Sequence, residues 1–528
     1  MFYLEKGVIK VKEKFYITTA IPYASKKPHI GNVYEFILSD AIARFKKIQG
    51  LDVVFCTGTD EHGQKIEELA KKENIEPAKY AENICNIIKK IWENMNCSYD
   101  IFIRTTDSNH VDAVKQIFKK LYDKGDIYKD SYEGWYCTPC ESFWTSSQLI
   151  DDKCPECNRD VQKTKESAYF LKVGKYQDRL IKHMTNNKDF IIPNFYTDEL
   201  LNNFLKPGLK DFCVSRKNFK WGVSIDFDPE YVVYVWLDAL INYITSLGFN
   251  LKNKSEKFEK YWPADLHVIG KDILRFHAIV WPIVLMMLDI PLPKHILVHQ
   301  WLLNKENKMS KSIGNVIYSD DLTKFFSVDS VRYYVLKTMA LEHDGSISYE
   351  SITSTHNTDL ANTIGNLIKR VFDMIHKYFD GIIPKAEGQD ENEIENLSKE
   401  AFNNYFNHMQ KYDVNCGIND ILNFAKNCNK YIDDVAPWVL AKDDGQLNKL
   451  KTVLYNLAEA IRFIAIMLLP ITPETAEKIL NNLKTSSRDF DSLKKFGELK
   501  HDIKIEKPEI LFKRFNIEEK LKEIENSQ

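Results

Sequence analysis

Two rhythms of apolar and polar positions run along this chain, and the switches between them mark its organisation. Phe15-Tyr16-Ile17-Thr18-Thr19-Ala20 is a short apolar run that predicts a strand. Ile21 to Pro28 reads as a loop. From His29 the period lengthens: Val33, Ile37, Ala41, Phe45 and Ile48 recur at three-to-four spacing, which predicts a helix ended by Gly50. Leu51-Asp52-Val53-Val54-Phe55-Cys56 predicts a second buried strand. Strand, helix and strand at this spacing make a βαβ unit, with a right-handed crossover and a parallel sheet. Ligands of such sheets lie beyond the carboxyl ends of the strands. His29 follows the first strand and Asp60 the second, so both are expected at that edge.

The rhythm breaks between about 126 and 185, which reads as an insertion rich in Trp and Tyr and carrying cysteine pairs. It returns with Tyr231 to Trp236 and Leu266 to Gly270, both strand-like and both followed by helical patterns. His295 to His299 is a further strand candidate. From about 356 the pattern is all helix, apart from a polar acidic loop over Gly381 to Asn396. From Thr485 the chain is highly charged and reads as loop plus a solvated helix. No internal repeats are evident.

With 528 residues the chain is too long for one core, so several domains are expected. No apolar run approaches the roughly 20 residues that cross a membrane. The longest, Ile461 to Pro470, contains Arg462 and reads as a buried helix. The N-terminus shows no signal-peptide pattern, and a cytoplasmic protein is expected. The net charge is −3, so any nucleic-acid contact must be local. Of the 10 cysteines, six are scattered and four form Cys137-x-x-Cys140 and Cys154-x-x-Cys157, separated by 13 residues. Four thiolates on two tight turns suit tetrahedral Zn²⁺ with no open position, hence a structural site.

Two short motifs carry the candidate chemistry. Pro28-His29-Ile30-Gly31-Asn32 opens a helix, where N–H groups and the dipole favour phosphate. Gly31 lacks a Cβ and admits a base or backbone closely. Lys308-Met309-Ser310-Lys311-Ser312 is a cationic loop beside Gly314. Singly, each is an ordinary helix start or lysine-rich turn. Together they read as two halves of one nucleotide site.

With these motifs the chain resembles class I aminoacyl-tRNA synthetases. The second motif matches "KMSKS" residue for residue, and the first matches "HIGH" except that Asn32 replaces the last histidine. Asn32 keeps a donor of similar reach but cannot carry a charge. The resemblance implies attack of an amino-acid carboxylate on the α-phosphate of ATP, with Mg²⁺, and transfer of the aminoacyl group to tRNA. No protein nucleophile is needed, and positioning and charge stabilisation dominate. It assigns His29, Asn32, Lys308 and Lys311 to catalysis. His29, Gly31, Asn32, Gly270, Asp272 and Lys311 fall to ATP, with Lys271 in the same stretch.

The segments Ala20 to Ala24, Thr57 to Gly63, Val235 to Tyr243 and Ile269 to His277 narrow the resemblance to the methionyl-tRNA synthetase family. Ile21, Tyr23, Trp236, Ala239, Leu240, Tyr243, Ile273 and Phe276 are apolar or aromatic and suit a polarizable thioether. Asp60 suits an α-ammonium group. The resemblance adds His277 to the side-chain pocket and puts Asp60 and Tyr23 at the amino and sulfur ends. The insertion is too small for the editing domain of aliphatic-specific relatives. Selection by one methylene yields only about 1–3 kcal/mol, so those enzymes need editing more.

Asn362, Asn366 and Arg370 fall at i, i+4 and i+8 on one helical face. Amides and a guanidinium suit base edges, and an exposed Trp438 suits stacking. The resemblance matches them, with the Ala436-Pro437-Trp438 turn, to anticodon reading in initiator and elongator tRNA(Met). The expected fold is α/β: a doubly wound, parallel-sheet, Rossmann-like catalytic domain with a small zinc-knuckle insertion, then an all-α helical bundle that binds the anticodon. The expected boundaries are 1–125 and 186–300 for the catalytic halves, 126–185 for the insertion, 301–355 for the KMSKS loop and link, and 356–528 for the bundle with its tail. No membrane partner is expected, and the short tail suggests a monomer.

Overall fold

The computed structural model describes residues 12–527, apart from 138–141, 145, 156–157, 253, 305–306, 310–315, 388–391 and 508. The first part runs β1 (Lys14–Thr19), α1 (Ile30–Ile48), β2 (Asp52–Thr59), α2 (Gln64–Lys72), α3 (Pro77–Asn94), β3 (Ile101–Arg104) and α4 (Ser108–Asp123). Next come β4 (Ile127–Cys137), β5 (Ser142–Trp144), β6 (Gln162–Leu171), α5 (Gln177–Asn186), β7 (Ile191–Ile192) and α6 (Phe195–Leu200). Short strands β8 (Phe212–Cys213), β9 (Ser215–Arg216) and β10 (Val232–Val233) precede α7 (Val235–Thr245). α8 (Glu256–Tyr261), β11 (Leu266–Gly270), α9 (Trp281–Met287) and β12 (His295–His299) complete this region.

Six strands form one parallel sheet in the order β3-β2-β1-β11-β12-β7. The order turns back between β1 and β11, which is the switch point of a doubly wound sheet. The strands alternate faces as a period of two requires. Phe15 and Ile17 join α1 in one core, while Tyr16 faces the core built with α7 and Trp281. The first βαβ unit, β11 and β12 are therefore as their patterns predict.

The Tyr231 to Trp236 expectation is corrected. Only Val232–Val233 is strand, paired antiparallel with Ser215–Arg216 outside the main sheet, and α7 already begins at Val235. Trp236, Ala239, Leu240 and Tyr243 fall at helical spacing, and that period prevails over the β-branched start. The 126–185 stretch forms an antiparallel sheet, β5-β4-β6-β8, which also recruits Phe212–Cys213.

After β12 come β13 (Leu302–Asn304), β14 (Asn307–Lys308), α10 (Ser319–Thr323), α11 (Val328–Thr338), β15 (Gly345–Ile347) and α12 (Tyr349–Thr355). The bundle contains α13 (Asn366–Phe379), α14 (Glu393–Gln410), α15 (Val414–Val435), α16 (Pro437–Leu440), α17 (Leu447–Leu468), α18 (Pro473–Asn482) and α19 (Ile517–Glu525). Ile461–Leu468 of α17 is wholly buried, and no helix among the described residues is long and apolar enough to cross a membrane.

A buried ion pair joins these parts. Arg332 of α11 and Asp40 of α1 meet at 2.7 Å with both side chains fully buried. Arg332 also donates to the carbonyls of Met95, Ile471 and Pro470. Asp40 accepts from Arg44 and from the Ser98 N–H. Removing one partner strands the other in the core. Arg332→Met is expected to lower stability by about 3–5 kcal/mol, read from urea unfolding. A loss comparable to that of an exposed pair would contradict this.

Candidate active site

A cleft of about 990 Å³ opens at the carboxyl ends of the strands, at the switch between β1 and β11. Ile21, Tyr23 and Asp60 line one wall, and Trp236, Ala239, Leu240 and Tyr243 of α7 line another. Ile273, Phe276 and His277 close it from the turn after β11. All ten residues expected at an amino-acid pocket thus share one cavity. Backbone bonds hold the first wall: Asp60 N–H donates to Pro22 and Ala24 N–H to Asp60.

The apolar end is built by stacking. Trp236 and Phe276 lie parallel, with centroids 4.0 Å apart and planes at 3°. Phe276–Val280 is a π-helical turn, a form that recurs at functional sites. The His277 Nδ1–H donates to the Ile273 carbonyl at 3.0 Å. Its Nε2 therefore accepts the Tyr243 hydroxyl at 2.7 Å. Burial pushes the His277 pKa down to about 4, so the imidazole is neutral at pH 7.

The other part of the cleft is α1's first turn. His29 is its N-cap: its Nδ1 accepts from Gly31 N–H, and the Asn32 amide oxygen accepts from His29 N–H. Asn32 thus completes a capping box, a physical reason for asparagine there. The first-turn amides are not open as expected: Ile30 N–H donates to Ile317. A Cβ on Gly31 would lie 3.3 Å from the Met309 methyl. The KMSKS segment therefore meets α1 on both sides, through Met309 at Gly31 and Ile317 at Ile30. Ser310, Lys311 and Ser312 lie outside the described residues. Lys308 contributes backbone pairing in β14, opposite Leu303. Gly270 ends β11, and a Cβ there would press within 2.8 Å of the Asp272 carboxylate. Asp272 in turn accepts from Trp301 Nε1 at 3.2 Å.

Elsewhere, Cys137 and Cys154 are buried in one small cluster with Trp144, whereas Cys140 and Cys157 lie outside the described residues. No three potential metal ligands gather among the described residues. In the bundle, Asn362 and Asn366 are exposed. Asn366 and Arg370 both donate to Asn429 Oδ1, at 3.3 and 3.4 Å, and Arg370 pairs with Asp433 at 2.5 Å. Trp438 on α16 is 41% exposed.

The profile described as tRNA synthetases class I (M) matches residues 15–168 and 160–372, and that for the anticodon binding domain of methionyl tRNA ligase matches 383–526. A methionine--tRNA ligase of Clostridium acetobutylicum is 50% identical over 515 residues, covering 97% of this chain and 80% of that protein. One from Bacillus subtilis is 44% identical, covering 96% and 79%. A Mycobacterium tuberculosis methionyl-tRNA synthetase, solved in complex with methionyl-adenylate, superposes with a TM-score of 0.91 at 38% identity, over 95% of this chain and all of that one. The chain belongs to the methionyl-tRNA synthetase family.

Some residues of this synthetase's cleft escape a sequence reading. Glu35 sits one turn along α1 from Gly31, and His299 ends β12 as Asp60 follows β2; both line the cleft. They bond at 3.0 Å. Burial alone would lower the His299 pKa, but the Glu35 carboxylate outweighs it and raises it. Applying the carboxyl-end rule to every strand would have found His299. Asn429 and Asp433 carry no motif, and only the packing of α15 on α13 reveals them.

His277 gives the synthetase a defined acid response. Its folded pKa lies below the ordinary 6.5, so its stabilising contribution is full above pH 6.5 and is lost as pH falls towards 4. Between pH 6.5 and 5 the native chain is expected to lose about 1.5 kcal/mol more than His277→Phe. Urea unfolding of both at the two pH values measures the difference, and equal losses would refute it.

Proposed function

We propose that this synthetase ligates L-methionine to tRNA(Met) with ATP, through methionyl-adenylate, releasing AMP and pyrophosphate. The observation that carries it is one cleft that joins the α1 start and Met309 to the Trp236–Phe276 stack and Asp60. The likeness to a structure holding methionyl-adenylate supports the same reading.

In the first step a carboxylate oxygen of methionine attacks the α-phosphorus, and the bond to the bridging oxygen breaks as pyrophosphate leaves. In the second a terminal ribose hydroxyl of tRNA attacks the adenylate carbonyl, and AMP departs. The first is an in-line displacement at phosphorus and the second an addition–elimination at the carbonyl, with the hydroxyl proton passing to the departing AMP phosphate; both need alignment and charge balance more than a protein nucleophile. His29 and Asn32 take the phosphates at the positive end of α1. Gly31, Gly270 and Asp272 bound the nucleotide, and Lys311 with Lys308 balances the departing pyrophosphate. Asp60 holds the α-ammonium group, with Tyr23 beside the substrate. Ile21, Trp236, Ala239, Leu240, Tyr243, Ile273, Phe276 and neutral His277 enclose the thioether, whose sulfur gains from aromatic edges. Mg²⁺ accompanies ATP and shields its phosphate charge.

Cys137, Cys140, Cys154 and Cys157 hold one structural Zn²⁺ in this proposal. The burial of Cys137 and Cys154 in a shared cluster supports it. Asn362, Asn366, Arg370 and Trp438 read the anticodon of initiator and elongator tRNA(Met). A cytoplasmic monomer with no membrane partner completes the reading.

Methionine-dependent ATP–pyrophosphate exchange is the direct test, and exchange with another amino acid but not methionine would refute the substrate. Trp438→Ala is expected to cut charging of tRNA(Met) about ten-fold or more while leaving exchange near normal, because a stacked base contributes roughly 1–3 kcal/mol. Equal loss of both would contradict its anticodon role. Elemental analysis after gentle purification should find one zinc per chain, and none would overturn the knuckle.

A further inference from the structure

Behind the amino-acid pocket lies a buried polar group that substrate contacts do not explain. Asp238 is wholly buried in α7, between the pocket residues Trp236 and Ala239. One carboxylate oxygen meets His62 Nδ1 at 2.7 Å, and the other meets His110 Nε2 at 2.9 Å. Burial alone would raise the Asp238 pKa, but the two imidazoles overcome this and hold it at about 2. The carboxylate is thus ionised and accepts an N–H from each histidine. His110 on α4 also bonds the Thr245 hydroxyl at 2.7 Å, which fastens the far end of α7.

His62 stands two residues after Asp60. The segment it belongs to is fixed on its other side by the neighbouring Glu61. That carboxylate takes both prongs of Arg104, at 2.8 and 2.9 Å, and the Thr59 hydroxyl at 2.6 Å. Trp221 Nε1 donates to the Glu61 carbonyl at 2.6 Å, and its ring meets His62 edge-on. One wall of the pocket is therefore tied to β3, and the His62–Asp238 bond ties it to the other wall.

We infer that Asp238, acting through His62 and His110, is a positioning residue that sets the gap between the Asp60 segment and the α7 face bearing Trp236, Ala239 and Leu240, and so the side-chain length the pocket accepts. The inference rests on the methionine reading above. An ionised carboxylate with one N–H on each oxygen has no slack, because shifting either wall leaves a buried charge short of a donor. A pocket that selects by a methylene gains little from contact area, so a fixed width is what refuses a longer chain.

The test compares His62→Leu, which removes the donor, with His62→Asn, whose amide nitrogen stands where Nδ1 stands. Pyrophosphate exchange is measured with L-methionine and with L-ethionine, one methylene longer. His62→Leu is expected to raise KM for methionine about ten-fold or more, as for loss of a bond to a charged group. KM for ATP should stay within about two-fold, the preference for methionine over ethionine should fall, and His62→Asn should recover both. If His62→Leu does not fold, the comparison passes to His110→Leu and His110→Gln, whose amide stands where Nε2 stands. Parallel rises in both KM values, no change, or identical behaviour of the Leu and amide variants would overturn the inference. No methionine exchange by the native chain would instead overturn the functional reading.

Discussion

The buried pair of Asp40 and Arg332 is the contact on which the rest of the molecule hangs. Two opposite charges without water need complete hydrogen bonding, and they have it from four separate segments. One is α1, which starts at the cleft. Another is α11, which follows the KMSKS segment. The others are the turn after α3 and the turn after α17. Geometry this demanding fixes how the sheet and the bundle sit against each other. Farther along α1, Phe45 packs on Tyr405, Phe406 and Phe490, with centroids 5.1 to 6.0 Å apart, and Lys46 bonds Gln410. One helix thus runs from the cleft into the bundle core.

The cleft applies the same economy to polar groups. His277, Tyr243 and His299 are buried and Glu35 half-buried, and each has a partner of matching sign or donor sense. Pairing them off leaves the Trp236–Phe276 stack as the apolar face, a surface suited to a flexible thioether. Elsewhere the lining includes polar residues, Asp60, His29 and Asn32 among them. The division follows from desolvation, since an unpaired polar group beside the stack would cost more than the stack gains.

Much of this was legible in the chain. The period change at His29 located the first βα turn, and the carboxyl-end rule put Asp60 beside it. Leu266–Gly270 and His295–His299 are strands over the residues their apolar runs mark. Tyr231 to Trp236 misled because β-branched residues open a helix there, and long-range burial overrides local propensity. Glu35, Asn429 and Asp238 were invisible as site residues. Each is a polar residue on a helix, and nothing in one sequence distinguishes a buried partner from a solvated face.

The sequence by itself determined the two motifs, the parallel βαβ frame, the apolar character of the pocket and the helical second half. These depend on residue type and on spacing along one element, which the chain carries directly. Only the tertiary structure decided that Met309 comes to Gly31, that Ile317 takes the Ile30 N–H, and that Asp238 faces two histidines from α4 and the Asp60 segment. Those contacts join residues up to 287 positions apart. They arise when packing removes water from groups that must then find partners, and no local pattern encodes which partner is within reach.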